Sequence, residues 1–452
     1  MVRLYVENVG KEDEVMKLYL AIDIGASSGR HMIGFKNEKG EIVLEELYRF
    51  SNGVVLKDNH FIWNMDELWK EVKNGIRVCL EKYPKIESMS IDTWGVDYVL
   101  LKDNEIIQPV YAYRDSRTKD SIDEVHQRIS FEDLYQITGS QFQEFNTIYQ
   151  LYWDKKQGRL TEVTDFLMIP EYLMYMLTGI KVKEFTNAST TGCLDVRKQC
   201  YSKRIWKKLD FPKQFYTDLK KPGYEIGSFK ESIQKELGGN IPVVLCPTHD
   251  TASAVEGIPY LFSEPYISSG TWSLLGIKEN TAITTAQAKV ANYSNEMGPS
   301  YVRFQKNIMG LWIIQCLAKQ MDLAFPEMIA LARKSNFLGL YDVNDPCFLS
   351  GLHMKEEIQG WFKRKQMDIP QTDEDILYTT YRSLAYSYKK AIDELEHILG
   401  RSFSSISIVG GGAKNELLNA LTEEFTQKKV YAYAIEATAL GNIISQMRRT
   451  EK

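Results

Sequence analysis

Apolar and polar positions alternate in blocks along the chain, and the periods of those blocks predict a layered α/β protein. Leu18 to Ile24 is an apolar run rich in β-formers, the small residues from Gly25 to Gly29 break it, and Arg30 to Phe35 resumes a strand pattern. That reads as a β-hairpin. Asn37 to Gly40 marks a second turn and Ile42 to Phe50 supplies a third antiparallel strand, so the chain enters as a meander. Asn64, with Glu67 three residues on, makes a capping-box start. Leu68, Val72, Ile76 and Cys79 then recur at helical spacing, which predicts a helix from 65 to 83. A strand over 86 to 93 ends in Trp94, Gly95, Val96 and Asp97, and another follows at 98 to 101. Residues 146 to 180 hold two helical patterns, and Thr186 to Gly192 reads as a polar loop.

The pattern restarts near Pro242. A strand at 243 to 246 leads through Thr248, His249 and Asp250 to a short helix; a strand at 266 to 268 then turns at Gly270 into 272 to 277. Two small-residue turns, each joining two apolar strands, suggest a duplicated architecture. Leu377, Tyr381, Leu384, Tyr388, Ala391, Leu395 and Ile398 mark a long buried helix ending at Gly400. A strand at 405 to 409, three glycines at 410 to 412, and a helix at 413 to 425 follow. A helix N-terminus behind such glycines attracts phosphate. The division expected from these patterns is an extension at 1–17, a first domain at 18–243 and a second at 244–452.

Composition narrows the partners. The 452 residues carry 55 Lys and Arg against 60 Asp and Glu, so no global basic field recruits nucleic acid or anionic lipid, and small molecules are the expected partners. The longest stretches free of charged residues, at 237 to 249 and 265 to 277, are 13 residues each, below the ~18 that a membrane span needs. Residues 1 to 17 lack the apolar core of a signal peptide, so a cytoplasmic location is expected. The six cysteines form no C-x-x-C pair, and reduced structural thiols are the default.

Four turn segments, 23 to 30, 249 to 251, 268 to 273 and 410 to 415, combine small residues with Asp, Thr or Asn, and together could enclose a polyanion. Each alone is more simply a hairpin turn. Asp23, at the end of the first strand, could hold Mg²⁺ through its waters or merely close a turn. Asp250, at a strand-to-helix junction, could be an N-cap or could take the proton of a hydroxyl attacking phosphorus. His249 could donate to a sugar hydroxyl or be structural. Trp94, Gly95 and Asp97 offer a flat apolar face beside a polar acceptor, as a sugar requires.

The strings AIDIGASSGR (21–30), IDTWGVD (91–97), YRDSRT (113–118), HDTASAV (249–255), SSGTWSL (268–274), NIMGLW (307–312) and VGGGAKN (409–415) resemble those of the FGGY carbohydrate kinases. The resemblance implies an α/β fold of two actin-like ATPase (ribonuclease H-like) domains with an interdomain active-site cleft. It also implies ATP with Mg²⁺, and phosphorylation of the ketose L-rhamnulose at its 1-hydroxyl in L-rhamnose catabolism. On matching positions, Ala26, Ser27, Ser28, Gly29 and Arg30 would lie at ATP phosphates, Thr271 and Gln315 would contact ATP, and Gly411 would face the nucleotide. Gly95, His249, Asp250, Thr251 and Asn307 would hold the sugar, with Asp250 the proton acceptor, and Asp23 matches the metal-linked carboxylate. A monomer or weak homo-oligomer is expected. The chain ends soon after Asn442, earlier than expected for the family, which suggests weaker packing of the second domain. Other readings are a kinase for a related deoxyketose such as L-fuculose and a non-catalytic actin-like regulator. A DNA-binding repressor would need an added helix-turn-helix, and residues 1 to 17 are too short and too acidic for one.

Overall fold

The computed structural model describes residues 16–259, 263–351, 353–433 and 436–450. The expected extension at 1–17 lies outside them except for its last two residues. The chain divides into two compact units: 1–259 with 280–303 and 436–452, and 260–279 with 304–435.

The first unit is built on the predicted meander. Strands β1 (Tyr19–Ile24), β2 (Ser28–Lys36) and β3 (Ile42–Ser51) pair antiparallel in sequence. Helix α1 (Met65–Lys82) follows, and Asn64 caps it by accepting from the Glu67 backbone N–H at 3.1 Å. Strand β4 (Ser88–Thr93) then lies parallel to β1, with Asp92 opposite Asp23. Strands β5 (Glu225–Gly227) and β6 (Val243–Val244) complete the sheet in the order β5-β6-β4-β1-β2-β3. All residues of β1 and β4 are buried, as central strands covered on both faces require. Beneath them Leu68, Val72, Ile76 and Cys79 of α1 join one apolar cluster with Leu20, Ile22, Met89 and Ile91. Helix α2 (Asp250–Glu256) starts directly beyond this sheet.

A buried imidazole makes this core sensitive to acid. His31 on β2 is fully buried, with Nε2 bonded to the Val72 carbonyl at 3.0 Å, and burial lowers its pKa from 6.5 to about 4. The unfolded chain therefore takes up a proton that the folded one refuses. Stability from this group is present above about pH 6.5 and is lost as pH falls towards 4, costing about 2 kcal/mol between pH 7 and pH 5. Urea unfolding at those two pH values should show this slope, flattened in His31→Gln; equal slopes in both proteins would remove His31 as the cause.

The second unit repeats the plan. Strands β7 (Tyr266–Ser269) and β8 (Trp272–Glu279) form an antiparallel hairpin. Strand β9 (Val302–Met309), which enters this unit at Phe304, leads into α3 (Trp312–Met321). After the long helix α4 (Asp373–Leu399) come β10 (Ser405–Val409), α5 (Glu416–Thr426) and β11 (Lys429–Tyr433). The strand order is β9-β8-β7-β10-β11, with β10 parallel to β7 as β4 is to β1. The predicted duplication is thus an antiparallel hairpin with a parallel strand beside its first member, present once in each unit.

Helix α6 (Ala437–Thr450) returns to the first unit and corrects two expectations. The expected boundary at 243/244 places Asp250 with the second domain, yet Val243 pairs with Met89 on β4 and His249 bridges to Thr93. Residues up to 259 therefore belong to the first unit. The closing segment also packs on the first unit: Gln446 donates to the Leu20 carbonyl at 3.0 Å and accepts from Ser88 at 2.7 Å. A Cβ on Gly441 would run into the carbonyl oxygen of Ser253 in α2, and one on Gly257 into that of Ala437. No described helix is long and apolar enough to cross a membrane.

Candidate functional site

In the first unit the predicted residues gather at the ends of β1 and β4 and the start of α2. Asp23 and Arg30 face each other across the β1/β2 pair and form an ion pair at 2.9 Å. The other arm of Arg30 reaches Glu436, just before α6, at 2.5 Å. Between them the turn is closed by Gly25 donating to the Ser28 carbonyl at 2.8 Å, and Asn52 donates to the Gly25 carbonyl at 2.8 Å. Ser27 is exposed, Ala26 and Ser28 are half-buried, and Gly29 lies against the Phe50 ring, where a side chain would not fit.

Asp92, fully buried beside Asp23, accepts from Asn442 at 2.5 Å through Oδ2 while its Oδ1 has no partner. Burial, then the charge of Asp23, holds the Asp92 carboxyl well above the usual range. Asp23 is also raised, by burial first, against the opposing pull of Arg30. The charge of Asp250 pushes both up, so the three carboxylates share one electrostatic neighbourhood. Hard oxygen donors with one buried oxygen unsatisfied fit Mg²⁺, which takes one or two carboxylates and keeps waters and phosphate oxygens. Among the described residues no three His, Cys, Asp or Glu converge tightly enough to cage an ion by themselves.

Asp250 occupies the first turn of α2, half-buried, where its charge suits the positive end of the helix. Its Oδ1 accepts from the Thr251 N–H at 2.5 Å and hydroxyl at 3.1 Å, and lies 3.4 Å from His249 Nε2. Sequence reasoning missed what holds this loop. Residues 186 to 192, expected to be a plain polar loop, begin with a helical turn capped by Glu184. The fully buried Glu184 also accepts from Thr248, at 2.8 Å from its hydroxyl and 3.2 Å from its N–H. A buried carboxylate needs several donors, and Thr186, Asn187 and Thr248 supply them. Asp97 does the same for the Trp94–Gly95 turn, accepting from Trp63 Nε1 at 2.7 Å, Trp94 Nε1 at 3.0 Å and the Tyr113 N–H at 3.0 Å. It is therefore a buried anchor rather than a free acceptor for sugar. Gly95 approaches Thr190 so closely that a Cβ there would lie 3.0 Å from its side chain.

In the second unit Thr271 and Gln315 come together, the hydroxyl 3.3 Å from Oε1, with the Trp312 N–H donating to the Thr271 carbonyl at 3.1 Å. Gly410 adopts φ +81°, a conformation that only glycine takes without strain, and Gly412 packs on Ser269. Gly411 between them is exposed, and a Cβ there would meet nothing within 4 Å, which leaves room for a ligand. The predicted helix at 413 to 425 starts later, at Glu416, after a 3₁₀ turn over Gly411–Lys414. Asn307, on β9, keeps a buried Oδ1 without a partner, as a side chain awaiting a polar ligand would.

The models of the FGGY family of carbohydrate kinases match both halves, the N-terminal domain over residues 18–257 and the C-terminal domain over 265–450. The chain belongs to the FGGY family of carbohydrate kinases. Among FGGY kinases it is 41% identical to a rhamnulokinase of Halalkalibacterium halodurans over 95% of this chain and 93% of that protein. It is 40% identical to the rhamnulokinase of Bacillus subtilis over 95% of this chain and 90% of that one. The solved xylulose kinase of Lactobacillus acidophilus superposes with a TM-score of 0.81 at 14% identity, over 96% of this chain and 90% of its own. The glycerol kinase of Plasmodium falciparum, solved with ADP, gives 0.77 at 16% identity over 96% and 90%. The family's two-domain, actin-like ATPase fold is thus the fold of this FGGY kinase.

Proposed function

We propose that the chain transfers the γ-phosphoryl group of ATP to the 1-hydroxyl of L-rhamnulose, giving L-rhamnulose 1-phosphate and ADP, as a step in L-rhamnose catabolism. The observation that carries this reading is the likeness, at about two residues in five over nearly the whole chain, to proteins named rhamnulokinase. The first unit supports it by supplying both a base and a counter-charge. The Asp250 carboxylate takes the proton of the attacking hydroxyl, and His249 and Thr251 beside it orient the sugar. Arg30, fixed between Asp23 and Glu436, offers a guanidinium to phosphate oxygens. Thr271, Gln315 and Gly411 contact the nucleotide, Gly95 and Asn307 the sugar. Asp23, with Asp92 behind it, would hold Mg²⁺, which would supply positive charge against the phosphate oxygens.

A panel of ketoses with ATP, with and without Mg²⁺, in a coupled ADP-release assay tests substrate and metal together. The highest kcat/KM is expected for L-rhamnulose, with turnover lost when Mg²⁺ is chelated. A higher value for L-fuculose would replace the substrate, and sugar-independent ATP hydrolysis alone would remove the kinase reading.

A further inference from the structure

One apolar residue holds a backbone conformation that its side chain resists. Val96, half-buried in the turn between β4 and the strand Tyr98–Lys102, has φ +68°. The other non-glycine residues with positive φ among those described are Asp, Asn, Gln and His, all unbranched at Cβ, whereas a β-branched side chain crowds its own backbone in the left-handed region. The Asp97 N–H donates to the Gly95 carbonyl at 2.9 Å, so Val96 is the middle residue of a three-residue γ-turn of the rare, strained form. Such a conformation persists only where neighbours fix it from several sides, and here they do. The Val96 N–H donates to the Thr190 hydroxyl at 3.1 Å, and its carbonyl accepts from the Thr147 hydroxyl at 2.6 Å and from Gln150 Nε2 at 3.2 Å. Side chains, not regular secondary structure, thus hold both the N–H and the carbonyl of this residue.

The clamps are themselves oriented. Arg117, whose side chain is buried, donates to Gln150 Oε1 at 2.5 Å, which leaves the amide nitrogen to face the turn. Thr190 accepts from Val96 and donates to the Asn187 carbonyl at 2.8 Å. Asn187 belongs to the helical turn capped by Glu184, and Glu184 also accepts from Thr248, beside His249. One buried network therefore fixes both the Gly95–Val96 turn and the loop that leads to Asp250. A glycine at position 96 would adopt this φ unaided; with valine there, the shape of the turn depends on its clamps. We propose that Thr190 and Thr147 are positioning residues that hold Val96 in its strained turn, so that Gly95 keeps the shape in which it meets the ketose. The proposal rests on the reading that Gly95 contacts the sugar. It adds that either hydroxyl acts on sugar binding through the backbone of residue 96, without touching the substrate.

The test is a double-mutant cycle read in KM for the ketose that the panel shows to be the best acceptor. Thr190→Val and Thr147→Val keep the size of each side chain and remove only the hydroxyl. Each should raise that KM by about 3- to 10-fold, the effect of losing one hydrogen bond, with KM for ATP unchanged. In a Val96→Gly background the same substitutions should change it by less than about twofold, because glycine holds the conformation without help. A threonine that served only to stabilise the fold would lower the urea midpoint in both backgrounds alike and leave KM where it was. Penalties on KM that are equal in the valine and glycine backgrounds, or an unchanged KM in both threonine variants beside a raised KM in Gly95→Ala, would overturn the inference alone. An unchanged KM in Gly95→Ala and in both threonine variants would overturn it together with the sugar-binding reading of Gly95.

Discussion

Replacing Asp250 by Asn is expected to lower kcat by about 10²- to 10⁴-fold while KM for ATP changes little. The amide keeps the size and the first-turn position of the carboxylate, so α2 should form as before and the Thr251 N–H and hydroxyl can still donate to its oxygen. What is lost is the ability to accept a proton. The same change also removes a negative charge that presses on Asp23 and Asp92, so both should ionise more readily and metal binding should not weaken. The loss should therefore fall on turnover rather than on nucleotide binding. Steady-state kinetics in L-rhamnulose and ATP, with nucleotide affinity measured separately, checks this. Turnover near the wild-type value would mean that another group takes the proton, and an ATP affinity that fell in step with kcat would assign Asp250 to the nucleotide instead.

The meander, the capped helix α1 and the long α4 were legible because each has a single period and a marked start: Asn64 caps α1, Thr372 caps α4, and Gly400 stops it in the left-handed conformation. Asp23, Arg30, His249 and Asp250 were legible for a related reason, since they lie where strands meet small-residue segments, in strings that resemble those of the FGGY kinases. What the sequence hid are contacts between segments far apart along it. Glu184 anchors Thr248, Glu436 holds Arg30, and Asn442 holds Asp92 across 350 positions. None of these has a local signature, because a lone Asn or Glu reads as solvent-facing until its partner is known. The domain boundary failed for the same reason. Val243 and Val244 look like the start of something new, and only their pairing with β4 shows that they end the first sheet.

Gly441 turns that hidden connectivity into a large expected effect. Helix α6 crosses α2 so closely that a methyl group at Gly441 would overlap the Ser253 carbonyl and press on the Gly257 N–H, both backbone groups that no rotamer change can move aside. The two helices are fastened nearby as well: Glu256 of α2 accepts from Arg448 at 2.5 Å and from the Tyr301 hydroxyl. Gly441→Ala must therefore push α6 away from α2 or tilt α2 itself. Overpacking of this kind costs ~3 kcal/mol or somewhat more, and α6 carries Asn442 and Gln446, whose bonds to Asp92, Ser88 and the Leu20 carbonyl would loosen with it. Because α2 begins with Asp250, the displacement should also reach the chemistry and lower kcat well below the unfolding temperature. Gly53→Ala is the matched control, since a Cβ there meets nothing within 4 Å. Urea unfolding and turnover of the two variants side by side decide the point. If Gly441→Ala is no less stable and no slower than Gly53→Ala, the close crossing of α2 and α6 does not hold the Asp250 carboxylate in place.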